Sequence, residues 1–80
     1  MKSEFSIDFL DQLNSFPLSV QKKFKKQLKF LISDIRHPSL RAKKYDESSD
    51  LWQARVDGSI RFYFFIEKNV YVLINIRKHK

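Results

Sequence analysis

The chain has 80 residues, 16 of them Lys or Arg against 9 Asp or Glu, for a net charge of +7; that length allows one domain, near the lower limit of a single hydrophobic core. With no cysteine, one Gly and two Pro, the sequence excludes disulfides, thiolate zinc sites, cysteine nucleophiles and a Gly-rich nucleotide loop. No apolar run approaches the ~20 residues of a membrane span and no signal-peptide core is visible, so the expectation is a cytoplasmic domain, packed by eight Phe, three Tyr and one Trp, whose excess charge suits a polyanionic partner.

Lys2–Phe5 is a candidate edge strand. From Ser6 to Asn14, Ile7, Leu10 and Leu13 recur at three-residue spacing with Phe9 beside them, which predicts a short amphipathic helix capped by Ser6. Phe16-Pro17 ends it. Val20, Phe24, Leu28, Leu31 and Ile35 then fall on one stripe of a second helix, and Lys22, Lys23, Lys25, Lys26 and Lys29 cover the rest of its surface. His37-Pro38 should stop this helix, since the residue before a proline leaves helical geometry. The lysines are ordinarily just a solvated face, although they could also meet phosphates.

Arg41–Tyr45 could add another edge strand. From Leu51 the period changes to two: Trp52, Ala54 and Val56 alternate with Leu51, Gln53 and Arg55. Asp57-Gly58 signals a hairpin turn. Ile60, Phe62, Phe64 and Ile66 then alternate with Arg61, Tyr63, Phe65 and Glu67. After Lys68-Asn69, Val70, Val72, Ile74 and Ile76 alternate with Tyr71, Leu73, Asn75, Arg77 and His79. The predicted fold over residues 1–80 is therefore a single α+β domain: an N-terminal helical hairpin packed on an antiparallel β-sheet meander.

Strand parity carries the functional argument. If the apolar sets face the helices, Arg55, Arg61, Arg77 and His79 share the opposite face, with Tyr63 and Tyr71 among them, unless a bulge intervenes. Arginines and a histidine with no carboxylate pair suit phosphate chemistry better than acyl or glycosyl transfer. RNA supplies its own nucleophile, the 2′-hydroxyl, and Tyr63 and Tyr71 could stack on splayed bases. His37 and His79 lie in different elements and no ligand-spaced cluster accompanies them, so no metal site and no cofactor is expected. Plainer readings stand beside these. Arg55 and Arg61 could bridge Asp46, Asp50 or Glu67. Lys43 and Lys44 could reach the open face or be loop charges. Tyr63, Phe65, Tyr71 and Leu73 could form a second small core or a surface covered by a partner, and Trp52 belongs on the inner face.

His37-Pro38-Ser39-Leu40 with Lys43-Lys44, then Leu51-Trp52-Gln53-Ala54-Arg55-Val56, then Ile60-Arg61-Phe62-Tyr63-Phe64, and finally Ile76-Arg77-Lys78-His79 together resemble the RelE/ParE-type toxins of type II toxin–antitoxin systems. The likeness covers nearly the whole chain. It implies a RelE-like, microbial-RNase-like fold and an antitoxin partner, with assembly into a higher-order toxin–antitoxin complex. It also implies metal-independent cleavage of mRNA in the ribosomal A site by attack of the 2′-hydroxyl on the adjacent phosphate. By position, Arg61 matches the catalytic arginine, Arg55 would hold the scissile phosphate, His79 would be the acid or base, and Lys44 and Arg77 would be auxiliary phosphate contacts. Two departures stand out: His37-Pro38-Ser39 lies where some members carry a glutamate base, and many members continue past the last strand whereas this chain stops at Lys80. The gyrase-poisoning branch of the same fold and a non-catalytic RNA-binding module remain as alternatives.

Overall fold

Ser6 is the hinge on which the first two elements turn. In the computed structural model, which describes residues 1–79, it closes strand β1 (Lys2–Phe5) and opens helix α1 (Ile7–Ser15). Its Oγ accepts the Phe9 N–H at 3.0 Å, donates to the Ile74 carbonyl at 3.2 Å, and so ties the helix start to the last strand. Ser6→Ala should cost about 1 kcal/mol and lower Tm by about 4–8 °C in a domain of this size. A calorimetric Tm equal to that of the wild type would contradict the cap's role.

Helix α2 spans Leu18–Ser33, a single 3-10 turn covers Pro38–Leu40, and β2 (Lys43–Asp46), β3 (Leu51–Arg55), β4 (Ile60–Glu67) and β5 (Val70–Lys78) follow. The sheet runs β1-β5-β4-β3-β2. β2 through β5 pair antiparallel, as the alternation requires, but β1 pairs parallel with β5. The sheet is thus mixed, because α1 must carry the chain away before the sheet is built. Phe9 of α1 and Phe24 and Leu31 of α2 are buried against Ala54, Phe62, Phe64, Leu73 and Ile76 of the sheet. No helix is long and apolar enough to cross a membrane.

The expected stripe of α2 meets the core at Val20, Phe24, Leu28, Leu31 and Ile35, whereas α1 departs from its own. Ile7 is 78% and Leu10 44% exposed, while Phe9 is fully buried and Leu13 and Phe16 pack beside it. Two phases compete in α1, and the larger Phe side chains take the core. α2 stops at Ser33, five residues before Pro38; Asp34 leaves helical geometry, and Ile35 reaches the core from outside the helix.

The decisive departure is in β5. Tyr63 pairs with Asn75 but Phe64 pairs with Leu73, so one residue, Ile74, is extra. This bulge reverses the parity of β5. Before it, Val70 and Val72 face outward, and Tyr71 and Leu73 join the core, 3% and 0% exposed. Tyr71 therefore cannot stack on RNA: it lies edge-on to Phe64 at 5.5 Å. Burial, with a smaller push from the Asp34 charge, raises its hydroxyl above the ordinary tyrosine value.

Candidate functional site

Downstream of the bulge the parity argument holds, and it sets a row of like charges. Arg55 pairs directly with Arg61 across β3 and β4, and Arg61 with Arg77 across β4 and β5. Like charges opposite one another destabilise a sheet, so the row costs stability unless an anion offsets it. The carboxylates do not offset it. Asp57 pairs with Lys23 at 3.7 Å and Asp50 with Lys44 at 3.4 Å, while Asp46 accepts the N–H and hydroxyl of Ser48. Among the described residues no carboxylate lies within ion-pair distance of Arg55, Arg61 or Arg77, so the bridges to Asp46, Asp50 or Glu67 are absent.

Instead Arg55 and Arg61 share a backbone acceptor. The Asp57 carbonyl accepts from Arg61 Nη1 at 2.8 Å and from Arg55 Nε at 3.4 Å, and the Ile60 carbonyl takes a second, longer bond from Arg61 Nη1. A neutral acceptor orients the guanidinium groups without neutralising them and leaves other N–H donors of each fork free. The carbonyl is held in turn. Gly58 does not adopt positive φ; the turn is closed by the Asp57 carboxylate, which accepts the N–H groups of Ser59 at 2.8 Å and Ile60 at 2.9 Å. The sequence signal was right about the turn, and the Asp rather than the Gly makes it.

Those bonds, the Ser59 N–H foremost and then Ile60 and the Lys23 charge, outweigh burial and hold the Asp57 carboxyl below its ordinary value. The charged form is favoured in the fold, so the turn's contribution is present above the usual carboxylate range and is lost as pH falls through the depressed value. Urea unfolding from neutral pH to about pH 3 should show a shallower acid loss in Asp57→Asn than in the wild type. Identical pH profiles would contradict this.

Arg55 and Arg61 open onto a hollow of about 300 Å³ lined also by Arg41, Lys43 and Gln53. Each part is anchored. Gln27 of α2, 5% exposed, donates through Nε2 to the Arg55 carbonyl at 2.9 Å and to the Ser39 carbonyl at 3.2 Å. His37 stacks on Phe30, with ring centroids 3.7 Å apart, and its Nδ1 accepts the Ser39 N–H. The turn then releases the chain at Arg41, which holds a left-handed conformation at φ 45°. Asp50, Lys68 and Asn69 take the same left-handed region in their turns, and at Arg41 it ends the Pro38–Leu40 turn and redirects the chain into β2.

The expected site residues divide. Arg55, Arg61 and Lys43 meet at the hollow, with Arg77 beside Arg61 in the row. His79 extends the ladder, its N–H donating to the Ser59 carbonyl at 2.7 Å; alternation puts it one row past Arg77 on the same face. Lys44 pairs with Trp52 on the opposite face, and its ammonium is engaged by Asp50, so it does not reach the hollow. Tyr63 is on the open face but only 3% exposed, with Arg77 4.7 Å over its ring and Tyr45 edge-on at 5.4 Å; it supports Arg77 rather than offering a free stacking face. Arg41 and Gln53 were not foreseen. Gln53 shares the parity of Arg55 and could have been found that way, whereas nothing local announces the left-handed Arg41. Among the described residues no three His, Asp or Glu side chains gather as metal ligands.

No protein-family model and no curated sequence matches the chain. Solved structures do. The YoeB/ParE toxin from Agrobacterium tumefaciens superposes with a TM-score of 0.83 at 13% identity over 100% of both chains. The YoeB dimer from Staphylococcus aureus gives 0.82 at 14% identity over 100% of this chain and 98% of that one. RelE in the archaeal RelE–RelB complex from Pyrococcus horikoshii OT3 gives 0.80 at 16% over 96% and 92%. At these identities the likeness is one of fold, over 96–100% of this chain.

Proposed function

We propose that this chain is the toxin of a type II toxin–antitoxin pair and acts as a metal-independent endoribonuclease on mRNA in the ribosomal A site. The observation that carries the reading is the Arg55–Arg61–Arg77 row, of which Arg55 and Arg61 line an open hollow and none has a carboxylate partner among the described residues. A built cluster of fork-shaped cations without counter-charge fits a phosphodiester, whose transition state gains negative charge. In this mechanism Arg55 grips the scissile phosphate and Arg61 neutralises the phosphorane. The 2′-oxygen forms its bond to phosphorus as the hydroxyl proton passes to water. The bond from phosphorus to the 5′-oxygen breaks, and His79, as imidazolium, protonates the departing oxygen. The products are a 2′,3′-cyclic phosphate and a 5′-hydroxyl.

The shared fold supports a protein antitoxin as partner, since the S. aureus YoeB and P. horikoshii RelE neighbours were solved with YefM and RelB. A cytoplasmic site of action belongs to the same proposal. Controlled expression in bacteria, with transcript ends and chromosomal breaks mapped in parallel, tests it. Growth arrest with cuts inside coding regions and intact DNA is expected. Arrest with DNA breaks and intact transcripts would overturn it in favour of the gyrase-poisoning branch.

A further inference from the structure

Beside the arginine row, the edge strand β2 carries a feature that phosphate binding leaves unexplained. Lys44 pairs with Trp52 and Asp46 with Leu51, so Tyr45 is the extra residue of a second bulge. Tyr45 keeps the face of Lys43 two residues before it, the open one, where its ring stands at 86° to Tyr63 and is nevertheless 54% exposed. An aromatic ring that makes one T-shaped contact and is still more than half exposed leaves ring surface on which a base can stack. Lys43, two residues away, lines the hollow, so phosphate and ring lie about 6–7 Å apart along the strand, a span compatible with a nucleotide's phosphate and base.

The second observation is Gln53. It pairs with both Lys43 and Tyr63, lines the hollow, and is only 7% exposed. Its side-chain amide makes no hydrogen bond to any other described residue. Among the described residues no buried side-chain N or O lacks a partner, so the Gln53 amide reaches solvent, and the hollow it lines is where a ligand can engage it. An amide presents a donor and an acceptor side by side, a pattern that complements a base edge and that a bare phosphate, all acceptors, uses only in half.

We infer that Tyr45 and Gln53 form a nucleobase subsite beside the anion hollow, in which a base flanking the bound phosphate stacks on Tyr45 and is read along its edge by the Gln53 amide. The inference rests on the nucleic-acid reading of the hollow and adds to it a device for base preference. It also assigns to Tyr45 the stacking that Tyr63 and Tyr71 cannot perform.

The test is equilibrium binding of purified protein to a short single-stranded 2′-O-methyl RNA, which cannot be cleaved, and to an abasic oligomer with the same number of phosphates. The wild type should prefer the base-bearing oligomer. Tyr45→Ala, a change at an exposed position, should bind it roughly tenfold more weakly with affinity for the abasic oligomer and the salt slope unchanged. Tyr45→Phe should restore wild-type binding, and the volume-conserving Gln53→Leu should lose several-fold for the base-bearing oligomer alone. Equal affinity of the wild type for the two oligomers, or a Tyr45→Ala loss that is the same on both, would overturn the subsite and leave the hollow's anion binding standing. Failure of the wild type to bind either oligomer would overturn the nucleic-acid reading together with the subsite.

Discussion

Replacing Arg61 with alanine is expected to lower the rate of RNA cleavage by about 10²–10³-fold and to abolish growth arrest, with the fold retained. Arg61 is the centre of the row, paired with Arg55 on one side and Arg77 on the other. Its guanidinium is aimed by the Asp57 and Ile60 carbonyls, so removing it takes away the charge closest to both neighbours. The same removal relieves two like-charge pairings, and folding stability should stay within about 0.5 kcal/mol of the wild type. Loss of activity without loss of stability separates a catalytic role from a structural one. Arg61→Lys keeps the charge but lacks the planar fork and should recover only part of the rate. Full toxicity in Arg61→Ala, assayed by growth and by cleavage of a reporter transcript, would remove Arg61 from the mechanism.

Phe62→Ala should be the most damaging core change, costing about 3–5 kcal/mol of a total that is about 5–15 kcal/mol for proteins of this kind. Phe62 is fully buried at the point where helix and sheet meet. Its ring lies 5.4 Å from that of Phe24 at 85° and 5.8 Å from that of Phe64. An 80-residue chain without disulfides has little reserve, so urea unfolding should find the midpoint greatly lowered or the cooperative transition lost. Phe62→Leu, which fills part of the space, should fall between the two. Because Phe62 follows Arg61 on β4, the loss would carry the arginine row with it, and activity should fall in step with the folded fraction. A near-wild-type midpoint for Phe62→Ala would show that the aromatic cluster is not the core's keystone.

The sequence was most legible where one parity is apolar and the other polar. Trp52-Gln53-Ala54-Arg55-Val56 and Ile60-Arg61-Phe62 leave no choice of face, and those strands, their pairing and the arginine row follow directly. Val70-Tyr71-Val72-Leu73-Ile74 is apolar in both parities, so alternation there cannot locate a bulge, and Tyr71 was placed on the wrong face. The same ambiguity affected α1, where Ile7-Leu10-Leu13 and Phe9-Leu13-Phe16 are both plausible stripes and side-chain volume decides. Lys44 followed from its charge and from its position in the resemblance; pairing with Trp52 turns it to the other face. What sequence could not supply were features created by tertiary contact: the parallel docking of β1, the left-handed Arg41, and the shared Asp57 carbonyl between two arginines.

The central claim is that the unneutralised arginine row promotes attack of a ribose 2′-hydroxyl on its own phosphate. The most direct measurement uses ribosomes translating a defined mRNA, the purified protein, and a matched mRNA carrying a single 2′-deoxynucleotide immediately 5′ to the mapped cut. The account predicts cleavage of the all-ribose message to a 2′,3′-cyclic phosphate and a 5′-hydroxyl, and loss of cleavage at that bond in the deoxy-substituted message. Cleavage that persists at the deoxy position, or products ending in a 5′-phosphate, would contradict it.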